Sequence, residues 1–362
     1  MKTQMFKINV PAQDKEQKID FSASDMAQLK VAGQILAQGG LVAFPTETVY
    51  GLGGDAMNPK ASEKIYAAKG RPSDNPLIVH IASLDALKVL AREIPENAMA
   101  LAKAFWPGPM TMIFKKQDCV PYETTGGLDT VAVRFPSHPV AKEMILASGT
   151  YIAAPSANTS GRPSPTTAQH VFEDMDGRID AIIDGGQVNI GIESTIVDVT
   201  GDVPMILRPG YITKEMLEKV VGKVTIDPAI IDDNLMKGVR PKAPGMKYKH
   251  YAPKGDLTIV EGTQAAVVAK INTLVEAAQT AGKHVAVIAT DETKNLYQCP
   301  IVESIGTRNN EDTIAHNLYD ILRRMDDLSV DVMYSEAFSE GGLGQAIMNR
   351  LLKAAGHQVI EV

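Results

Sequence analysis

The stretch LVAFPTETVYGLGGDA, Leu41–Ala56, opens as a buried strand and then changes character. Four apolar residues end at Phe44, and a proline stops the run. Thr46, Glu47 and Thr48 follow, then Tyr50 and three glycines at 51, 53 and 54. A short apolar run bounded by Pro and Gly signals is what a strand leading into a functional loop looks like. On this reading the turn after Phe44 brings backbone and Thr48 against a small ligand, and the glycines keep side chains out of its pocket.

The same alternation extends outward. Apolar strand runs recur at PLIVHIA, MTMIF, VAVRF, AIID, STIVDV and PMILRP, and MFKINV near the start reads as an edge strand. Helical spacing runs through 26–36, 62–68, 97–105 and 139–147. From about residue 24 to 211 the pattern is that of an α/β layer domain. Between 214 and 255 it loosens, and IDDNLMKGVRPKAPGMKYKHYAPKGD, dense in prolines, cations and aromatics, reads as a linker whose composition leaves an active role and a passive tether both open. A second alternation then starts at LTIVEG and runs through HVAVIAT, VDVMYSEAF and HQVIEV, with helices expected near 263–281, 313–325 and 343–355. It predicts a smaller parallel sheet wrapped by helices. The division expected is therefore 1–213, a linker over 214–255, and 256–362.

Composition narrows the possibilities. A chain of 362 residues with 44% hydrophobic and 22% charged residues can build two cores. No apolar run is long enough to span a membrane, and the polar start lacks a secretory core, so a cytoplasmic protein is expected. Cys119 and Cys299 stand far apart, without a metal-ligand or disulfide pattern. A net charge of −7 argues against coating nucleic acid by bulk attraction. GGLGQAIMNR in the second half fails the dinucleotide spacing and reads as a tight strand-to-helix turn.

Polar residues gather where strands begin and end. KGRPSDNPLIVH carries Lys69, Arg71, Ser73, Asn75 and His80, and VAVRFP carries Arg134. YIAAPSANTSGRPSP carries Ser156, Asn158, Ser160, Arg162 and Ser164; GIESTIVDV carries Glu193, Ser194 and Thr195, and PMILRPG carries Arg208. Guanidinium forks and hydroxyls in this density suit an anionic ligand such as a nucleotide. The P-loop, nucleophile-elbow and HExxH patterns do not occur. Such a site works by positioning substrates and stabilising charge, as in adenylyl or phosphoryl transfer.

Taken together, PTETVYGLG, KGRPSDNPL, VAVRFP, APSAN, ESTIVD and LRPG resemble the YrdC-type threonylcarbamoyl-AMP synthases, and PGMKYKHYAP with the second domain resembles the two-domain members. The resemblance implies a twisted YrdC-like α/β domain, a linker and a smaller Rossmann-like parallel α/β domain. It implies a nucleotidyltransferase joining L-threonine, bicarbonate or CO2, and ATP into L-threonylcarbamoyladenylate, with release of pyrophosphate. The product would pass to a tRNA threonylcarbamoyl transferase. Carried across, Thr48, His80, Arg134, the Ala154 backbone and Ser194 would hold threonine. Arg71, Asn75, Thr130, Ser156, Ser164, Arg208 and Tyr251 would hold ATP. Lys69, Arg71 and Arg208, with Mg2+ brought by ATP, would neutralise phosphate charge; no protein metal ligand and no tightly bound organic cofactor is expected. Lys247, Tyr248, His250 and Tyr251 would form a lid. Two rivals remain: an RNA-binding module gripping tRNA through a cationic face, and a carbamoyl-adenylate former of hydrogenase maturation, whose zinc-finger cysteines and acylphosphatase-like region this chain lacks. Direct contact with tRNA is left open by the sequence.

Overall fold

The computed structural model describes residues 2–10, 20–230, 241–244, 250–339 and 341–362. It divides into two units, one drawn from Met1–Ser160, Pro165–Asn189 and Glu193–Lys247, the other from Gly161–Ser164, Ile190–Ile192 and Tyr248–Val362. The α/β class expected from the alternation is found in both.

The first unit begins with β1 (Gln4–Lys7), α1 (Ala23–Ala37), β2 (Val42–Phe44), β3 (Gly51–Asp55), α2 (Pro59–Lys69) and β4 (Ile78–His80). It continues through α3 (Leu87–Leu90), α4 (Glu96–Phe105), β5 (Met110–Lys115), β6 (Thr130–Arg134), α5 (Pro139–Ser148) and β7 (Ile152–Ala153). It ends with α6 (Ala168–Met175), β8 (Ala181–Asp184), β9 (Thr195–Asp198), β10 (Met205–Arg208), α7 (Lys214–Val221) and β11 (Thr225–Ile226). Local chemistry sets several boundaries. The Asn58 side chain caps α2, Pro59 sits in its first turn, and Gly70 ends it in the left-handed region at φ 62°. Pro139 and Gly149 bracket α5 in the same way.

The strands form one mixed sheet in the order β1-β8-β2-β3-β7-β4-β6-β5-β9-β10-β11. MFKINV lies at its edge, where β1 pairs with β8. Side chains alternate across a strand, so each strand offers one set to either face. Val79, Met112, Phe114, Val131, Val133 and Val197 share a core with residues of α2, α4, α6 and α7. Ile78, Ile113, Ala132, Ile196 and Leu207 turn the other way, into a small cluster with Ala229 and Ala243. His80, Thr111, Thr130 and Arg134 share the parity of this second set, so the same face that carries the small apolar floor carries the polar groups.

Three stretches depart from the sequence reading. The glycine stretch is strand β3, paired with β2 and β7. A Cβ at Gly53 would lie 2.8 Å from Ile152 Cγ2, and one at Gly54 would lie 3.1 Å from Ile65 Cδ1. These glycines make room for the core rather than for a ligand. Helix α6 was not anticipated, although Ala168, Val171, Phe172 and Met175 carry helical spacing. Residues 214–226, read as the start of the linker, form α7 and β11, and β11 extends the sheet beside β10.

The second unit comprises β12 (Asp256–Glu261), α8 (Gln264–Thr280), β13 (Val285–Ala289), β14 (Ile301–Ser304), α9 (Glu311–Asp327), β15 (Val332–Glu336), α10 (Gly342–Ala354) and β16 (Val359–Glu361). Its order is β14-β13-β15-β12-β16, and every pairing is parallel. Short, half-buried β14 escaped the sequence reading. The GGLG turn leads into α10 as expected. Glu311 accepts the Gly344 amide at 2.9 Å, so a carboxylate of the protein itself occupies that helix start. The described parts of 161–164 and 250–253 belong here as well: Arg323 Nη2 donates to the Pro163 carbonyl at 2.7 Å, and the Ala252 amide donates to Gly161.

Candidate functional site

The polar face of the first unit centres on Arg134, the last residue of β6. Its register partners are His80 on β4 and Thr111 on β5. Arg134 is 4% exposed, and its Nη2 donates to Glu47 Oε1 at 2.8 Å. Glu47 in turn accepts the Ser137 amide through Oε2 at 3.2 Å. Arg134 Nε is buried and has no hydrogen-bond partner among the described residues. A ligand oxygen would supply the partner this atom lacks.

Around it the chain folds into a tight hydroxyl turn. Thr46 Oγ1 accepts from the Thr48 and Val49 amides, donates to the Val49 carbonyl at 2.6 Å, and lies 2.9 Å from Thr48 Oγ1. Thr48 is fully buried. His80 is buried with its ring edge-on to Phe44, 5.9 Å between centroids. Its Nδ1 lies 3.0 Å from the Ile78 carbonyl, to which it can only donate. Burial, and then the Arg134 charge, hold its pKa down to about 3, so the imidazole is neutral.

On the other side of Arg134, Thr111 Oγ1 lies 2.8 Å from Ser194 Oγ. Arg208 Nε and Nη2 both donate to the Ser194 carbonyl, at 3.1 and 2.9 Å, and Nη2 reaches Ser194 Oγ at 3.2 Å. A register shift in β10 between Ile206 and Arg208 accompanies this placement. Arg208 Nη1 donates to the Pro244 carbonyl at 3.3 Å, so the described end of the linker meets this face. Thr48, His80, Arg134, Ser194 and Arg208 are thus brought onto one continuous surface. Ala154 lies beside Gly51, while its amide donates to the Ile78 carbonyl within the sheet.

Arg71, Asn75, Thr130 and Ser156, expected to hold nucleotide, also belong to the first unit. Arg71 Nη2 donates to the Asn75 and Pro76 carbonyls at 3.3 and 3.1 Å. Asn75 is 1% exposed and its Oδ1 has no hydrogen-bond partner among the described residues. Thr130 starts β6, four residues before Arg134, with its Cα partnered to Lys115. Ser156 bridges to Gly51 and donates to Asn158 Oδ1 at 2.5 Å.

Lys69, expected as a phosphate contact, lies beside the same loop. Its buried Nζ donates to the Ser156 and Asn158 carbonyls, both at 2.5 Å, and so pins the loop that carries Ser156. Ser164 and Tyr251 belong to the second unit. Tyr251, at φ 64°, is buried, with its ring centroid 5.2 Å from that of Tyr319 and 5.4 Å from that of His250. Lys247 and Tyr248, the rest of the expected lid, lie outside the described residues.

Sequence reasoning missed Glu47, Thr46 and Thr111. Glu47 stood in the opening stretch, but nothing in one sequence says that an acid there faces an arginine 87 positions on. Among the described residues no three His, Cys, Asp or Glu side chains group as a metal site, and no helix is long and apolar enough to cross a membrane.

The geometry defines an α/β protein whose mixed sheet carries a cationic, hydroxyl-rich face. The family model described as "Telomere recombination" matches residues 34–210, and the one described as "Threonylcarbamoyl-AMP synthase, C-terminal domain" matches 212–356. The threonylcarbamoyl-AMP synthase of Pyrococcus abyssi (strain GE5 / Orsay) is 50% identical, over 92% of this chain and 96% of that one. Its counterpart in Bacillus subtilis (strain 168) is 49% identical, over 92% and 94%. The crystal structure of P. abyssi Sua5 complexed with L-threonine is similar at a TM-score of 0.91 and 46% identity, covering 99% of this chain and 100% of that one. The chain belongs to the threonylcarbamoyl-AMP synthase family.

Proposed function

We propose that this chain converts L-threonine, bicarbonate or CO2, and ATP into L-threonylcarbamoyladenylate and pyrophosphate, the first step of N6-threonylcarbamoyladenosine formation in tRNA. The observation that carries the reading is Arg134: a buried guanidinium with an unfilled Nε, flanked by Thr48, neutral His80 and Ser194. Nε remains for one carboxylate oxygen while Nη2 stays on Glu47. A relative solved with L-threonine makes that amino acid the first candidate.

The threonine amine attacks CO2 and forms a carbamate, losing a proton; starting from bicarbonate, water leaves. A carbamate oxygen then attacks the α-phosphorus of ATP, and pyrophosphate departs with the electron pair of the broken P–O bond. Arg208 and Arg71 stabilise the charge that moves onto the phosphates, and Lys69 holds the loop of Ser156 in place. Mg2+ enters as part of the nucleotide substrate, held by phosphate oxygens and water, since Glu47 is committed to Arg134 and Ser137. Neutral His80 adds no second cation beside Arg134 and leaves room for the substrate's ammonium group to lose its proton.

The direct test incubates purified protein with ATP, bicarbonate and each of several amino acids, and measures pyrophosphate. Release that depends on both threonine and bicarbonate is expected. Release indifferent to the amino acid would refute the assignment of the pocket. Salt-sensitive tRNA binding without any turnover would favour the RNA-binding alternative.

A further inference from the structure

In open parallel sheets, ligands bind outside the carboxyl ends of the strands, where successive crossovers leave in opposite directions. In the second unit that point lies between β12 and β15. The connection after β12 runs through α8 toward β13 on one side, and the connection after β15 runs through α10 to β16 on the other. A cavity of about 390 Å³ opens there, with Val260, Val267, Tyr297, Ala337 and Phe338 among its walls. That volume suits a small organic ligand.

The cavity holds a built polar cluster. Glu336 ends β15, and its side chain is 2% exposed. It accepts hydrogen bonds from Thr293, from Thr290 at 3.3 Å, from Tyr297 at 2.7 Å and from Arg308 Nη2 at 2.6 Å. With each oxygen taking two donors, Glu336 has little capacity left and serves to orient Arg308. Arg308 Nη2 also donates to the Ala337 carbonyl at 3.0 Å, and the guanidinium lies 5.3 Å from the Phe338 ring centroid. The side chain remains 41% exposed and lines the cavity. Facing it, α8 begins without a side-chain cap, and Gln264 at its first turn lines the cavity. Glu261, also on the lining, is an exposed hydrogen-bond acceptor.

We infer that this cavity is a second ligand site, distinct from the face around Arg134, and that it takes a small phosphorylated polyol such as a sugar phosphate. The phosphate meets Arg308 and the first amides of α8, and the hydroxyls meet Glu261. The apolar walls cover the carbon skeleton. Arg308 Nη2 neutralises buried Glu336, and the rest of the guanidinium is held on the cavity lining by that pairing.

The test titrates ribose 5-phosphate into the full chain labelled at valine and alanine methyl groups, and follows Val260, Val267 and Ala337 by NMR. Saturable shifts at these methyls are expected, weakened about tenfold or more in Arg308→Ala. Since that change strips a partner from a buried carboxylate, Ala265→Glu is the second variant. An acid in the first turn of α8 favours the helix while repelling phosphate, so it should keep its melting temperature and lose binding. Silent methyls up to about 10 mM ligand, undiminished binding in either variant, or succinate binding in preference to ribose 5-phosphate would each overturn the proposal.

Discussion

The two sheets place polar groups differently, and strand direction is the reason. In the second unit all strands run parallel, so every carboxyl end points the same way and Glu336, Thr290 and the cavity gather along one edge. In the first unit β3 and β7 run against both neighbours, and β5 runs against β6. There is no common carboxyl edge to use, and the polar residues are instead spread along one face, from Thr130 at the start of β6 to Arg134 at its end. A parallel sheet concentrates a site at its rim; a mixed sheet can extend one across its surface, which gives room for two substrates side by side.

The comparison breaks first at Arg134. Arg134→Ala leaves Glu47 buried without its cation, which should cost about 3–5 kcal/mol in unfolding free energy. It should also raise the threonine requirement for pyrophosphate release by about 10- to 100-fold. Glu47→Gln keeps a hydrogen-bond acceptor and should do less on both counts. Unchanged threonine dependence in Arg134→Ala, measured on folded protein, would move the amino-acid pocket elsewhere.

Much of the face could be read in advance, because each expected residue sits beside an apolar run with an unmistakable period. Arg134, His80 and Arg208 fall at strand ends that the hydrophobic pattern already marks. What stayed hidden depends on pairing between distant strands. Glu47 became meaningful only when β2 and β6 had positions in a sheet. The glycines at 53 and 54 suggested a ligand until Ile152 and Ile65 were found against them. The second-unit cluster was invisible because Thr290, Thr293 and Tyr297 stand apart in sequence from Arg308 and from Glu336 at the end of β15, with no shared motif. Lys69 was identified as important, but its partners are backbone carbonyls, which no side-chain pattern announces.

Acid should separate the units next. His80, neutral and buried in the folded first unit with a pKa of about 3, takes up its proton near 6.5 once unfolded. The unfolded state therefore binds more protons as pH falls between these values, and stability declines by up to about 1.4 kcal/mol per pH unit in that window. It is fully present above about 6.5. His138, held to about 4 by burial, acts with the same sign over a narrower range. At pH 5 the loss from His80 alone is about 2 kcal/mol, read from urea unfolding, and His80→Gln should flatten the dependence. An identical slope in that variant would mean that His80 titrates normally.

Glu336→Gln tests the other sheet. It removes the charge facing Arg308 and inserts two N–H donors among the hydroxyls, so a stability loss of about 1–3 kcal/mol is expected. Threonine dependence should stay within twofold (about 0.4 kcal/mol) of the unaltered chain. A threonine requirement as disturbed as that of Arg134→Ala would erase the distinction between rim and face.

The smallest effects come from the glycines of β3, and they decide between packing and pocket. A Cβ at Gly53 meets Ile152 at 2.8 Å and Phe44 at 3.0 Å, so Gly53→Ala should destabilise by about 1–3 kcal/mol. At Gly51 the nearest atoms are Phe44 Cζ at 3.2 Å and Ala154 Cβ at 3.4 Å, which need shift only a few tenths of an ångström. The unfolded-state entropy lost on replacing glycine by alanine returns about 0.4–1 kcal/mol, and Gly51→Ala should come out near zero. Its threonine requirement should then match that of the unaltered protein. A clear rise in that requirement with stability intact would restore Gly51 to the pocket wall, where the sequence first suggested it belonged.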